Sequence, residues 1–310
     1  MSTSIRSTVL LCPFDATALA SRLAGSPAVW RLIGNRPSHR LWHVGGPKAS
    51  VAVKVAGGEN PALALVRESA ALDAMPAGNI RPLGSGANLR PAAPLAWQIT
   101  PWAGLTTWEA LRPLREGAEE GREQALAAAV ATCRAVGHLH AAGWTHGNLA
   151  PHHVVHPTDR GPARLLSCTW ATRADKPTSA GYDGGLVHLL SPELAAEMER
   201  SRGSAVLVDR SSEVYTLAAG LWWAATGSWP LAYHAYRKAG FDPNTQSRSR
   251  LQRAIASGDI PITAPASYSC PEVLAPLAAA MSFVPNRRPT AHQLADWLNN
   301  SIPSRHYGDS

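Results

Sequence analysis

The predicted fold of this chain is decided by residues 139–155, which read LHAAGWTHGNLAPHHVV. The stretch begins as the end of an apolar helix, turns at a glycine, and continues as a histidine-rich loop that contains a proline. Two β-branched residues then open a strand. The pattern predicts a helix–loop–strand unit, and the polar side chains of its loop are candidates for a functional site.

A second informative stretch is the predicted strand 50–56, which reads SVAVKVA. Alternation along a strand places Lys54 and Ala52 on one face. The three valines then lie on the other face. The following helix, predicted over 61–75, carries Glu68 on the same side as its apolar residues, where an unpaired carboxylate is costly. We therefore expect an ion pair between Lys54 and Glu68. In the alternative interpretation, each charge is solvated on its own.

Three further motifs follow in the second half of the chain. Residues 191–193 read Ser-Pro-Glu, and residues 287–290 read Arg-Arg-Pro-Thr. Between them, Glu213 lies at the start of an apolar stretch that predicts a helix buried nearly all round. In order and spacing, these motifs and the two stretches above resemble the motifs of protein kinases.

The resemblance extends over about residues 29–300. The loop from His146 is similar to the kinase catalytic loop H-R-D-L-x-x-x-N, and Lys54 is similar to the third-strand lysine that grips nucleotide phosphates and pairs with a glutamate. The sugar and aminoglycoside phosphotransferases are a rival family, because His146-Gly147 resembles their His-Gly-Asp loop. The Ser-Pro-Glu and Arg-Arg-Pro-Thr motifs favour the serine/threonine protein kinase branch.

The resemblance implies an α+β, bilobal protein kinase-like fold with a small β-rich N-lobe and a larger, mainly helical C-lobe. Residues 1–28 are then an N-terminal extension with a short helix, 29–100 the N-lobe, 101–300 the C-lobe and 301–310 a flexible tail. A chain of 310 residues is long enough for two packed lobes.

Local signals predict where several elements begin and end. The first helix is predicted over 15–24, with Asp15 as its N-cap and Gly25 just past its end. The remaining predicted elements are strands at 29–33, 41–44 and 95–99, helices at 106–112 and 116–142, and a hairpin of Val154-Val155 with Leu165-Leu166 around a turn at 159–161.

The resemblance also implies structural roles for four residues. His146 takes the place of the structural histidine of the kinase loop. Glu193 is expected to pair with Arg288, as the glutamate of the kinase Ala-Pro-Glu motif pairs with a later arginine. Glu213 takes the place of the aspartate that anchors the backbone of the catalytic loop, and its extra methylene predicts an anchor of altered geometry.

The reactive groups of the kinase pattern are replaced. Asn148 stands in the place of the proton-accepting aspartate, His153 in that of the metal-binding asparagine, and Ser167 in that of the metal-binding aspartate. The turn at 34–42 also lacks the repeated glycines whose N–H groups close over phosphates, and its proline has no N–H to donate. The resemblance therefore implies a fold retained without its chemistry.

Two functions follow as expectations. We favour a catalytically impaired protein kinase-like protein, a pseudokinase, that acts as a binding, scaffold or allosteric subunit. The alternative is an atypical ATP-dependent phosphotransferase that acts on a protein or peptide, either alone or together with a partner protein. No cofactor is required in the favoured interpretation. Lys54 and Glu68 are the candidate cofactor-binding residues, for weak ATP binding without magnesium.

Composition restricts the partners. The formal charge of +7 is spread along the chain and forms no basic stripe, so we expect a protein or peptide partner and no nucleic acid. No apolar run reaches the length of a membrane span, and the four scattered cysteines fit a reducing compartment, so we expect a cytoplasmic protein.

Histidines are dense around the loop at 143–153, called the organising loop below, and a transition-metal site is one interpretation of them. No cysteine or carboxylate stands at ligand spacing beside them, so a structural role is favoured and no metal is expected. The histidines concerned are His138, His140, His146, His152, His153 and His156.

Overall fold

The computed structural model describes residues 11–75, 79–158, 161–236, 241–266, 268 and 270–301. The chain divides between Ala103 and Gly104 into two compact units, a few residues after the predicted boundary at 100. The described chain combines one antiparallel sheet of five strands, smaller sheets and many helices, which confirms the predicted α+β class. None of its helices combines the length and the apolar character needed to cross a bilayer.

The first unit is built on the five-stranded sheet, whose strands are all antiparallel in the order β1-β2-β3-β5-β4. Its strands are β1 Val29–Asn35, β2 His39–Gly45, β3 Ser50–Gly57, β4 Gly84–Asn88 and β5 Leu95–Pro101. Its helices are α1 Phe14–Ala24 and α2 Glu59–Ala74.

Each face of the sheet packs against one helix. The predicted alternation of β3 is confirmed: its three valines are fully buried and pack against α1, which contributes the stripe Ala16, Ala20 and Ala24. On the other face, Leu65 of α2 packs with small residues of the sheet. The described part of the predicted N-terminal extension is therefore integrated into this unit, because its helix packs against one face of the sheet.

Two details of this unit differ from the prediction. Pro13, and not Asp15, is the residue before the first turn of α1, and Asp15 lies inside that turn. Strand β4 was not predicted, because glycines dominate it. Those glycines are needed, since a Cβ on Gly86 would lie 2.7 Å from Nε1 of Trp97.

The second unit is mainly helical, and α7 is the helix most completely surrounded by the core. Its helices are α3 Thr107–Ala110, α4 Arg112–Glu116, α5 Arg122–Ala141, α6 Pro192–Ser201, α7 Arg210–Thr226, α8 Arg248–Ala256, α9 Pro271–Ala280 and α10 Ala291–Asn300. Its short strands are β6 Leu105–Thr106, β7 Trp144–Thr145, β8 Val154–His156, β9 Arg164–Leu165 and β10 Thr172–Arg173.

Two predicted helices of this unit have other bounds. The helix predicted at 106–112 is two short helices, the first of which begins with a capping box between Thr106 and Glu109. The helix predicted at 116–142 begins at Arg122, because Gly117 and Gly121 adopt left-handed φ angles of 68° and 80° before it.

The predicted hairpin after the organising loop is present, with Val154 opposite Leu165 in antiparallel register. Residues 159 and 160 of its turn lie outside the described residues. So do residues 302–310 of the predicted tail.

Candidate functional site

Lys54 and Glu68 form an ion pair in the first unit. Lys54 Nζ lies 2.7 Å from Glu68 Oε2, and the predicted ion pair is therefore present. Glu68 is buried, at 4% exposure, whereas the side chain of Lys54 keeps 27% exposure. The geometry leaves the lysine in contact with solvent while the buried carboxylate is neutralised.

The surroundings of Lys54 are polar on one side. Gln98, directly opposite Lys54 on β5, is buried and donates from Nε2 to Ser69 Oγ at 2.8 Å. Burial lowers the pKa of His39, and the nearby positive charges of Lys54 and Arg36 lower it further. The lysine therefore sits beside a histidine that favours its neutral form.

The turn between β1 and β2 is not a glycine-rich phosphate-binding loop. Only residues 36–38 connect the strands, and Arg36 N donates to His39 O at 2.9 Å to close the turn. The turn is therefore closed by its own backbone hydrogen bond.

In the second unit, the carboxylate of Glu213 binds backbone N–H groups of the organising loop. From the first turn of α7, its Oε1 accepts from His146 N at 2.8 Å and from Gly147 N at 2.7 Å. Its Oε2 accepts from His140 Nε2 at 2.8 Å. The predicted anchor contact is present, and the same carboxylate also accepts from His140.

The electrostatics of Glu213 agree with this role. Burial alone raises the pKa of the Glu213 carboxyl, but the hydrogen bond and charge of His140 and the backbone hydrogen bond from His146 hold its pKa below the ordinary value. Glu213 is therefore a carboxylate that is buried and fully used as an acceptor.

Position 147 of the loop requires glycine. Its φ angle is 71°, in the left-handed region, and a Cβ placed on it would lie 2.7 Å from the carbonyl oxygen of Trp170. Only glycine fits this conformation and this approach without strain. The carbonyl oxygen of Gly147 accepts from Tyr182 Oη at 2.8 Å, so the residue is held from both sides.

His146 is a structural residue with a defined protonation state. Its Nδ1 accepts from Asn148 N at 3.2 Å, and its Nε2 donates to Leu166 O at 2.8 Å. These partners assign the neutral tautomer with the proton on Nε2. Both ring nitrogens are used inside the protein, so the imidazole joins the loop to the segment that precedes Ser167.

The three replaced positions are brought together by this network. His153 Nδ1 donates to Asn148 O at 2.7 Å, and Leu166 N donates to His153 O at 2.7 Å. Ser167 follows with a left-handed φ angle of 57°. The Oδ1 atom of Asn148 lies close to Gly185. A Cβ added to Gly185 would be 2.5 Å from this oxygen.

The chemistry of these three positions does not fit magnesium. They supply a carboxamide, an imidazole and a hydroxyl, whereas Mg²⁺ in phosphate-transferring sites is held through carboxylates. A carboxamide is also a poor proton acceptor. Within the described ranges, no group of three or more His, Cys, Asp or Glu side chains is placed to hold a metal ion.

Glu193 and Arg288 are also in contact. The guanidinium of Arg288 donates to both carboxylate oxygens of Glu193, at 2.5 and 2.8 Å, and Nε of Arg288 donates to Ser282 O at 2.8 Å. The Arg288 side chain has no exposed surface. Burial raises the pKa of Glu193, but the hydrogen bonds and charge of Arg288 hold it below its ordinary value.

The residues that sequence reasoning missed are His140 and Tyr182, which complete the support of the loop. His140 was grouped with the other histidines, although its place on α5 one turn before the loop could have suggested a contact with a buried acid. Tyr182 has no sequence signal, because its role depends on a contact across 35 positions.

No family model matches this chain, and no curated protein matches it. The evidence on function therefore comes from two groups of residues. These are Lys54 with Glu68 in the first unit and the loop around Asn148 in the second.

Proposed function

We propose that this chain is a catalytically impaired protein kinase-like protein that acts as a binding, scaffold or allosteric subunit for a protein or peptide partner. In this proposal the two compact units correspond to the small β-rich lobe and the larger helical lobe of a bilobal kinase-like fold. The observation that carries it is the loop at 146–148, whose backbone is anchored by Glu213 while the side chains at 148, 153 and 167 lack the groups for phosphoryl transfer.

The energetic argument is cumulative. Loss of a positioned proton acceptor costs about 10²–10⁴-fold in rate. Loss of the charge that a metal supplies to a transferring phosphoryl group adds several kcal/mol to the barrier. Asn148 accounts for the first loss, and His153 with Ser167 accounts for the second. Together they support negligible turnover.

The pair of Lys54 and Glu68 supports a residual ability to bind nucleotide. A lysine held by a buried carboxylate presents its ammonium in a defined position, where it can contact a phosphate oxygen. Without metal ligands, such binding should be weak and indifferent to magnesium. No cofactor is required for the proposed role.

The same pair is the observation that favours the alternative function. An atypical ATP-dependent phosphotransferase acting on a protein or peptide would need Lys54, and it would need a proton acceptor other than Asn148. His153 is the candidate acceptor among the three replaced positions, because an imidazole titrates near neutral pH.

Two measurements test the proposal. Radiolabelled ATP incubated with the protein and with generic protein substrates should give no label transfer above background. Label transfer that is lost in Lys54→Ala and kept in Lys48→Ala, a change at an exposed lysine, would establish the alternative function.

Calorimetric titration with ATP, with and without magnesium, gives the second measurement. The proposal expects weak binding or none, with the same result in both buffers. An affinity that rises about ten-fold or more with magnesium, equivalent to about 1.4 kcal/mol, would mean that the chain does coordinate the metal, and the impaired-kinase proposal would be withdrawn.

A further inference from the structure

A cavity of about 540 Å³ lies in the second unit, and one of its lining residues, Tyr182, also supports the organising loop through Gly147. It is bounded by the end of α6, by the first turns of α8 and by the chain at 182–183 and 202–206. Its size suits one or two amino-acid side chains, and it is open to solvent on one side.

The floor of the cavity is apolar. Met198, Val206 and Tyr182 are each less than 9% exposed and line it, and they belong to a hydrophobic core that also includes residues of α6 and α8. A ligand side chain that reaches this floor would bury apolar surface against residues that are already packed.

The rim of the cavity carries three arginines and two carboxylates, which leaves one net positive charge. Arg253 is neutralised, since its guanidinium lies 2.5 Å from Glu199. Arg248 donates to the carbonyl oxygens of Asp183 and Gly185, which fixes the guanidinium in place but removes none of its charge.

Arg202 completes the rim. It caps α6 in a left-handed conformation, with a φ angle of 45°, and in the described part of the chain its side chain has neither an ion pair nor a hydrogen bond. The carboxylate of Asp183 accepts from the backbone N–H of Gly185 at 3.0 Å. Arg202 and Arg248 thus border the cavity without forming an ion pair, and the charge of Arg202 also acts on the nearby Glu199 carboxylate, whose pKa it lowers.

We propose that this cavity binds an extended peptide segment of a partner protein that carries an anionic side chain next to an apolar one. Guanidinium groups bind carboxylate and phosphate oxygens in pairs, so Arg202 and Arg248 would take a phosphoserine, glutamate or aspartate side chain. The neighbouring apolar side chain would lie on the floor of Met198 and Val206. The site needs neither nucleotide nor phosphoryl transfer, so it stands independently of the kinase-like proposal.

Fluorescein-labelled peptide mixtures test the site. Each mixture has random residues around a fixed pair, and the pair is phosphoserine-leucine, glutamate-leucine or serine-leucine. In fluorescence anisotropy without nucleotide, we expect at least one acidic mixture to bind about ten-fold or more tightly than the serine mixture. Comparison of the two acidic mixtures distinguishes a phosphate from a carboxylate ligand.

Matched variants locate the binding. Arg202→Gln should weaken binding of the acidic mixture about five-fold or more, which corresponds to loss of one charge-assisted contact. Arg250→Gln, on the exposed side of α8 and outside the cavity, should change it less than two-fold, or about 0.4 kcal/mol. Equal binding of all three mixtures, no binding of either acidic mixture, or equal effects of the two variants would overturn the proposal.

Discussion

Glu213 is the residue on which the geometry of the organising loop depends most. Its carboxylate accepts from the backbone N–H groups of His146 and Gly147 and from the imidazole of His140, all of them buried. A buried donor left without an acceptor costs about 1–3 kcal/mol. One side chain therefore satisfies several groups at once, which makes its chemistry hard to replace.

We expect Glu213→Gln to lower the free energy of unfolding by about 3–5 kcal/mol, because an amide of the same shape turns an N–H group toward buried donors. The measurement is a pair of urea unfolding curves. Thr216→Ala, on the same helix, removes a hydroxyl that only donates back to Ser212 O, and it should change the unfolding free energy by about half a kcal/mol or less. Similar losses in both variants would show that Glu213 is not an essential anchor.

At the scale of elements, α1 and the sheet of the first unit depend on small side chains. Ala16, Ala20 and Ala24 recur every four residues on one side of α1 and are fully buried against the valines of β3. A stripe of alanines lets the helix backbone approach the sheet closely. Larger side chains on that stripe have no room.

Ala20→Leu should therefore lower the free energy of unfolding by about 1–3 kcal/mol through overpacking. Ala18→Leu makes the same chemical change on the exposed side of the same helix, and we expect an effect of about half a kcal/mol or less. Guanidinium denaturation of the two variants decides the matter. If both lose the same amount, α1 does not pack on the sheet as described.

The pair of Glu193 and Arg288 joins the first turn of α6 to the segment before α10. Removing the arginine leaves a carboxylate with its main partner gone, and we expect Arg288→Ala to lower the free energy of unfolding by about 3–5 kcal/mol. Arg287→Ala removes a neighbouring exposed arginine and should cost about half a kcal/mol or less. Thermal and urea unfolding compare the variants, and small, equal losses would contradict the structural role of the pair.

For the whole molecule, stability should fall as the pH drops from 7 to 4. Burial lowers the pKa of His156 to about 4, below its ordinary value of 6.5. Between these values the unfolded chain binds a proton that the folded chain does not, so stability is lost as the pH falls through this window. Below about pH 4.5, the depressed pKa values of Glu193 and Glu213 add to the loss as these carboxylates become protonated.

His156→Gln isolates the contribution of His156, because His188, whose pKa burial also lowers to about 4, is unchanged in this variant. Its unfolding free energy should depend less on pH between 6.5 and 4.5 than that of the unmodified protein, by about 2 kcal/mol over the window. His234→Gln, at an exposed histidine, should leave the dependence unchanged. Chemical unfolding at several pH values measures both slopes, and identical slopes in all three proteins would contradict a role for His156.

The contacts of the candidate site could largely be predicted from the sequence, some from strand and helix periodicity and others from the resemblance in motif order. Strand alternation places Lys54 apart from the valines of β3, and helical spacing places Glu68 on the buried side of α2, so the pair follows once the two elements meet. The positions of Glu213, Glu193 and Arg288 relative to the organising loop came from motif order. The replaced groups at Asn148, His153 and Ser167 are visible in the sequence itself.

The amino-acid sequence was enough to predict the α+β class, the alternation of β3, the buried face of α2 and the side chains available at positions 148, 153 and 167. The tertiary structure alone decided which donors Glu213 satisfies, why Gly147 must be glycine beside Trp170, and that α1 covers the sheet. It also decided that β4 is a strand. Leu19 and Trp97 lie so close to Gly84 and Gly86 that these positions have no room for a Cβ. The reason is physical: local rules act through neighbours along the chain, whereas these contacts join residues far apart in sequence, and only packing in three dimensions brings them together.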